Sequence, residues 1–129
     1  MLITLDMTGE EPIYLQLRNE IVLGIGCGLL AAGEALPSVR QLAEDLGINA
    51  MTVNKAYTLL KDQGFIEIDR RQGARVRVAA QRTPHFPVLW QKQLSLLIAE
   101  ARARGLEKEE LVALCAQIFE NPKQGGEGL

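Results

Sequence analysis

The stretch 36-LPSVRQLAEDLGINAMTVNKAYTLLKDQGFIEIDRRQGARVRV-78 decides how this chain folds. Its first part carries Val39, Leu42, Ala43 and Leu46 at the spacing of one helical face. Ser38 precedes them as an N-cap, since its hydroxyl can accept from an unpaired backbone N–H of the first turn. Gly47 follows them, where a helix closes most easily in a left-handed conformation. Asn49 can cap a second helix whose apolar face is Val53, Ala56, Tyr57 and Leu60. Two helices joined by so short a glycine turn are a helix-turn-helix, with the second as recognition helix.

Downstream, Ile66, Ile68, Val76 and Val78 alternate with Glu67, Asp69, Arg75 and Arg77, which predicts a hairpin. Pairing Ile66 with Val78 and Ile68 with Val76 puts all four apolar side chains on one face. The same register opposes Glu67 to Arg77 and Asp69 to Arg75, both favourable cross-strand pairs. It leaves Arg71-Gln72-Gly73 as the loop, with glycine at the position that needs positive φ. Arg70 and Arg71 then project from the tip. A helix-turn-helix followed by a basic hairpin is a winged helix, and a basic tip suits contact with phosphate.

The segment from Pro12 to Val76 resembles the DNA-binding domain of the GntR family of bacterial transcription regulators. The matching residues are Pro12-Ile13-Tyr14 with Gln16, Gly28 and Gly33, and Leu36-Pro37-Ser38 with Arg40-Gln41-Leu42-Ala43. They continue with Thr52-Val53, Ala56-Tyr57 and Gly64-Phe65-Ile66, leading to Gly73. The short remainder resembles the small YtrA-like branch, which implies a two-helix dimerisation appendage in place of a large effector domain. The resemblance also implies that Arg40 contacts DNA. Asn49 and Ala50 depart from the family, which commonly has a serine or threonine and an arginine there. Arg71 stands where the wing often has a first glycine.

The chain has 129 residues, enough for one domain of modest core and an appendage. Its net charge of −2 argues against a generally basic nucleic-acid binder, but the distribution matters more than the sum. Arg70, Arg71, Arg75 and Arg77 lie together with no acid among them, whereas Glu10, Glu11, Glu107, Glu109 and Glu110 collect elsewhere. Cys27 and Cys115 lack metal-type spacing and read as free thiols of a reducing cytoplasm. No basic segment followed by an apolar run opens the chain. The uncharged stretch 21–33 is too short and glycine-rich to span a bilayer, so no membrane partner is expected.

Outside the decisive stretch, Leu2 to Leu5 is expected as a short strand pairing with the wing. A first helix should start near Pro12 as its N1 residue and end near Ile25, burying Ile13, Leu17, Ile21 and Gly24. Val22, Leu23 and Leu29 either thicken the core or offer an extra contact surface. Residues 80–86 read as a linker that includes His85, the sole histidine. Residues 87–120 read as two helices forming an antiparallel hairpin. One stripe is Trp90, Leu94, Leu97, Ile98 and Ala101; the other is Leu111, Leu114, Cys115 and Ile118. Such a hairpin has little core of its own, and burial against a second copy is the reading favoured here. The tail 121–129 is expected to be disordered.

The expected architecture is therefore α+β: a winged helix-turn-helix over 1–79, a linker, and a helical dimerisation hairpin. Met51, Thr52, Asn54 and Lys55 lie off the apolar face at the N-terminal end of the recognition helix, which enters the major groove in this fold. Thr52 can bond a base or a phosphate, Asn54 can read adenine, and Lys55 suits phosphate. Ser38 and the tip residues Arg70, Arg71, Gln72 and Gly73 complete the expected DNA-binding set. For Arg40 the competing reading is a surface ion pair with Glu44 at i+4. No nucleophile–base pair, phosphate loop or metal set is visible, so neither an enzyme nor a cofactor is expected. The functional expectation is a cytoplasmic, sequence-specific transcription regulator, a homodimeric repressor on duplex DNA with an inverted-repeat operator. The alternative is a winged-helix protein-interaction module.

Overall fold

The structure is a computed structural model and describes residues 3–78 and 87–121. Its elements are α1 (Ile13–Gly26), α2 (Val39–Leu46), α3 (Ala50–Asp62), β1 (Ile66–Asp69), β2 (Gly73–Val76), α4 (Val88–Ala103) and α5 (Lys108–Glu120). The chain divides into two compact units, α1 to β2 and α4 to α5, on either side of segment 79–86. The linker expected at 80–86, His85 with it, lies outside the described residues. So does the expected tail beyond Asn121.

In the first unit α3 packs against both α1 and α2 and leads into β1. The core forms where their apolar faces converge. Leu17 and Ile21 come from α1, Leu42 and Ala43 from α2, Val53, Ala56, Tyr57 and Leu60 from α3, and Ile66, Ala74 and Val76 from the hairpin. Leu17, Ile21, Val53 and Leu60 are fully buried, each worth roughly 1.5–3 kcal/mol relative to exposure. Val22 and Ile25 pack at the edge of this core, so the apolar end of α1 thickens it in part, while Leu29 stays exposed. Pro12 is the N-cap of α1 rather than its first helical residue.

The two helix boundaries of the helix-turn-helix are chemical. Ser38 Oγ accepts from the Gln41 N–H at 3.1 Å, and Asn49 Oδ1 accepts from the Met51 N–H at 2.8 Å. Gly47 sits at φ 66° between them, which a side chain would oppose.

The hairpin register differs from the expected one by two residues. Ile66 pairs with Val76, Glu67 with Arg75, Ile68 with Ala74 and Asp69 with Gly73. A two-residue shift keeps every side chain on its original face, so apolar alternation cannot choose between the two registers. The turn chooses. Asp69 Oδ1 accepts from the Arg71 N–H at 2.8 Å, which starts the turn at Asp69 and leaves Arg70-Arg71-Gln72 as the loop. Gly73 takes φ 74° as expected. In consequence Val78 is exposed, and Glu67 meets Arg77 diagonally, with Nε 3.8 Å from Oε1.

The third segment of the wing is not 3–5 either, and Leu2 of the expected strand lies outside the described residues. Residues 33–36 run beside β2: Gly33 N–H donates to Val76 O, Val76 N–H to Glu34 O, and Leu36 N–H to Ala74 O, all near 2.9–3.0 Å. This segment reaches the sheet edge directly from the loop after α1 and satisfies the outer backbone groups of β2. Ile3 and Leu5 instead lie without strand structure against the core.

In the second unit, α5 opens on a capping box between Glu107 and Glu110. Gly105, at φ 92°, ends the preceding turn. The helices are joined by a short turn, as expected, but do not pack closely along their length. Neither contains a buried residue.

Candidate nucleic-acid interface

The recognition helix presents two different faces. Val53, Ala56, Tyr57 and Leu60 are buried, which holds α3 in place against α1 and α2. Met51, Asn54, Lys55 and Thr58 are exposed on the other side, and Thr52 is half-buried between them. Thr58 is an addition to the sequence-derived set; its i+4 spacing from Asn54 was the available signal. The only carboxylate of α3 is Asp62, at its far end. The N-terminal turn therefore offers neutral polar groups, one cation and a positive helix end, with no acid to repel phosphate.

Lys55 is anchored as well as exposed. Its ammonium lies 4.0 Å from the centroid of the Tyr14 ring, a cation–π contact that ties α3 to α1 and leaves the charge in place. Arg40 sits 3.7 Å from Glu44 with both side chains largely in water, 90% and 63% exposed. Such a solvated i, i+4 pair contributes only about 0.3–0.5 kcal/mol and is easily exchanged for a stronger partner. Ser38 Oγ accepts one N–H as the α2 cap, which leaves its O–H to donate to an acceptor such as a phosphate oxygen.

The basic stretch of the wing splits in two. Arg70, Arg71, Gln72 and Gly73 are exposed at the tip. Arg75 and Arg77 turn back to the fold: Arg75 Nη1 donates to Gly33 O at 3.3 Å, and Arg77 lies beside Glu67. The charge available to an anion is therefore that of Arg70 and Arg71.

Sequence reading missed one positioning group. The Tyr57 hydroxyl donates to Pro37 O at 2.7 Å, fastening the middle of the recognition helix to the residue just before the α2 cap. The signal was a tyrosine, not a phenylalanine, at a core position, because a buried phenol needs a partner. Burial pushes the Tyr57 pKa up to about 12 from 10. The folded state thus favours the protonated phenol, so this contribution to stability is intact below pH 10 and falls as pH rises from 10 to 12. Tyr57→Phe should cost about 1–3 kcal/mol at neutral pH, chiefly by unpairing the Pro37 carbonyl. It should also flatten the loss of stability between about pH 10 and 12 expected from linkage. Denaturant titrations across that range, on both chains, measure each effect.

The family model described as bacterial regulatory proteins of the gntR family matches residues 10–76, the span from the approach to α1 through β2. The chain belongs to the GntR family. Over 126 residues this GntR-family chain is 32% identical to the HTH-type transcriptional repressor YtrA of Bacillus subtilis, covering 96% of the chain and 97% of that protein. That near-complete overlap puts it in the small YtrA-like branch. Among solved structures it is similar to YtrA from Sulfolobus acidocaldarius, a GntR-family transcription factor, with a TM-score of 0.65 and 36% identity over 80% of this chain and 99% of that one. Its fold is also shared with AraR(DBD) in complex with operator ORX1, at a TM-score of 0.53 and 23% identity over 59% of this chain and 98% of that one. The winged helix-turn-helix read from the sequence is thus the fold of this GntR-family regulator.

Among the described residues no helix is long and apolar enough to cross a membrane. Cys27 is half-buried, Cys115 is exposed, and both are free.

Proposed function

We propose that this GntR-family regulator is a cytoplasmic homodimeric repressor that binds duplex DNA at an inverted-repeat operator. The observation that carries the proposal is the acid-free exposed face at the start of α3, held by a fully buried opposite face. In this reading Thr52 and Asn54 contact bases, while Met51 lies among them at the groove. Lys55, Ser38 and Arg40 contact backbone phosphate. Arg70, Arg71, Gln72 and Gly73 follow the phosphates as a wing. The YtrA relative is a repressor by name, which supports the sign of regulation. The unit containing α4 and α5 dimerises through Trp90, Leu94, Leu97, Ile98, Ala101, Leu111, Leu114 and Ile118. Support comes from their position on helices in which no residue is fully buried within the described chain.

The net charge of −2 favours a second reading, a winged-helix module that engages another protein. A salt titration separates the two. A repressor gives a steep linear fall of log affinity for DNA with log salt, because phosphate contacts release counterions. A flat or absent dependence removes the DNA reading.

The wing makes a sharper expectation within the same titration. Arg70→Ala with Arg71→Ala should weaken binding to operator and unrelated DNA alike, since phosphate contacts carry no sequence information. The salt slope should fall by about 1 for each lost contact. An unchanged slope would mean that the tip stays clear of the backbone.

A further inference from the structure

The start of the recognition helix has an unusual chemistry for reading DNA. Met51 is 79% exposed there, among the most exposed large apolar side chains of the described residues. Its neighbours on the same face are Ala50 and Asn54, both exposed, and Thr52, half-buried. The first turns of α3 hold a single cation, Lys55, and its ammonium is drawn over the Tyr14 ring. Asn49 Oδ1 accepts from the Met51 N–H as the α3 cap.

Guanine is most often read in the major groove by Arg or Lys forking onto O6 and N7. The front of α3 has no arginine, and its one lysine lies over the Tyr14 ring and is assigned above to backbone phosphate. The groups left are a thioether methyl, a small methyl side chain, a hydroxyl and a carboxamide. In the major groove an apolar side chain has one base partner, the C5-methyl group of thymine, and a carboxamide has one bidentate partner, the N6/N7 edge of adenine. Both belong to A·T pairs. A methionine side chain is also flexible enough to follow a methyl group along the groove. Its polar neighbours Asn54, Lys55 and Thr58 break up the apolar surface, so this end of α3 lacks the contiguous patch of a protein-docking site.

We propose that Met51 is a specificity-determining residue that reads thymine methyl groups, and that Met51 and Asn54 together set A·T pairs within each half-site. The proposal rests on the DNA-binding reading above and deepens it.

The test uses the full chain. Duplexes are first selected from a random pool by binding to the purified protein. Each thymine of the selected half-site is then replaced in turn by deoxyuridine, which keeps base pairing and the O4 acceptor and removes only the methyl group. Affinities are measured for the natural chain and for Met51→Ala, a change at an exposed helix position that leaves the core and the Asn49 cap untouched. The expected result is one or two thymines whose replacement weakens the natural chain about fourfold, the worth of one buried carbon group. Met51→Ala should be indifferent to the same replacement. Selected half-sites with no fixed A·T pair would overturn the proposal. So would a uracil effect that persists unchanged in Met51→Ala, or the lack of any uracil effect. A protein that enriches no sequence and shows no salt-dependent binding would overturn the DNA reading itself and this proposal with it.

Discussion

A chain carrying Leu94→Glu and Leu97→Glu should sediment as a monomer and lose on the order of 10²-fold or more in operator affinity, the range typical of linked sites. Leu94 is 41% exposed and Leu97 61% exposed, so neither change empties a cavity. Glutamate is also a good helix former, so α4 itself should persist. The stripes on α4 and α5 bury no residue within the described chain and do not close along their length on each other. Incompletely buried apolar stripes mark contact surfaces, and a second copy supplies two identical stripes. Linking two winged units turns the second half-site contact into an intramolecular event, which is where the affinity gain arises. Half-sites in an inverted repeat, about one or more helical turns apart, match the two-fold axis of such a dimer. Sedimentation reports the mass, a binding titration the affinity, and a thermal melt whether the winged unit stays folded. A variant that remains dimeric moves the interface elsewhere, with half-buried Val22 and Leu23 the next residues to change. A monomer with full operator affinity defeats the coupling of dimerisation to binding.

The second large effect is expected at the bases. Asn54→Ala and Thr52→Ala should each cost about 1–3 kcal/mol on the selected operator and much less on random duplex, as loss of a base contact does. Asn54 is exposed and Thr52 half-buried, and neither belongs to the core of α3, so folding is not at stake. Equal losses on both kinds of DNA would reassign these side chains to phosphate. The outcome also bears on Met51: an adenine contact by Asn54 and a thymine contact by Met51 would be found at the same or adjacent pairs.

The stop and start signals of the helix-turn-helix were legible because each is local chemistry. Ser38 and Asn49 cap through their own side chains, and Gly47 adopts the left-handed turn that its missing Cβ permits. The core face of α3 was legible for a similar reason. A period of 3.6 fixes which side chains point together, and Val53, Ala56, Tyr57 and Leu60 all proved buried. The wing was legible only up to its parity. Alternation told which residues share a face, but registers two residues apart share the same faces, and the Asp69 turn had to decide between them. The third strand-like segment at 33–36 carried no alternation at all, since it is held by backbone bonds to β2 rather than by its side chains.

The sequence by itself determined the caps, the helical faces, the hairpin and the family resemblance, because each depends on neighbours within a few residues or on a fixed spacing. Only the tertiary structure decided which charges remain free. Four arginines in the wing look alike as a string, yet Arg75 and Arg77 are drawn back to Gly33 and Glu67 while Arg70 and Arg71 stay in water. Lys55 lies over Tyr14, and the Tyr57 hydroxyl finds Pro37, through contacts between residues far apart in the chain. A side chain's partner is set by packing at long sequence separation, and local periodicity carries no record of it.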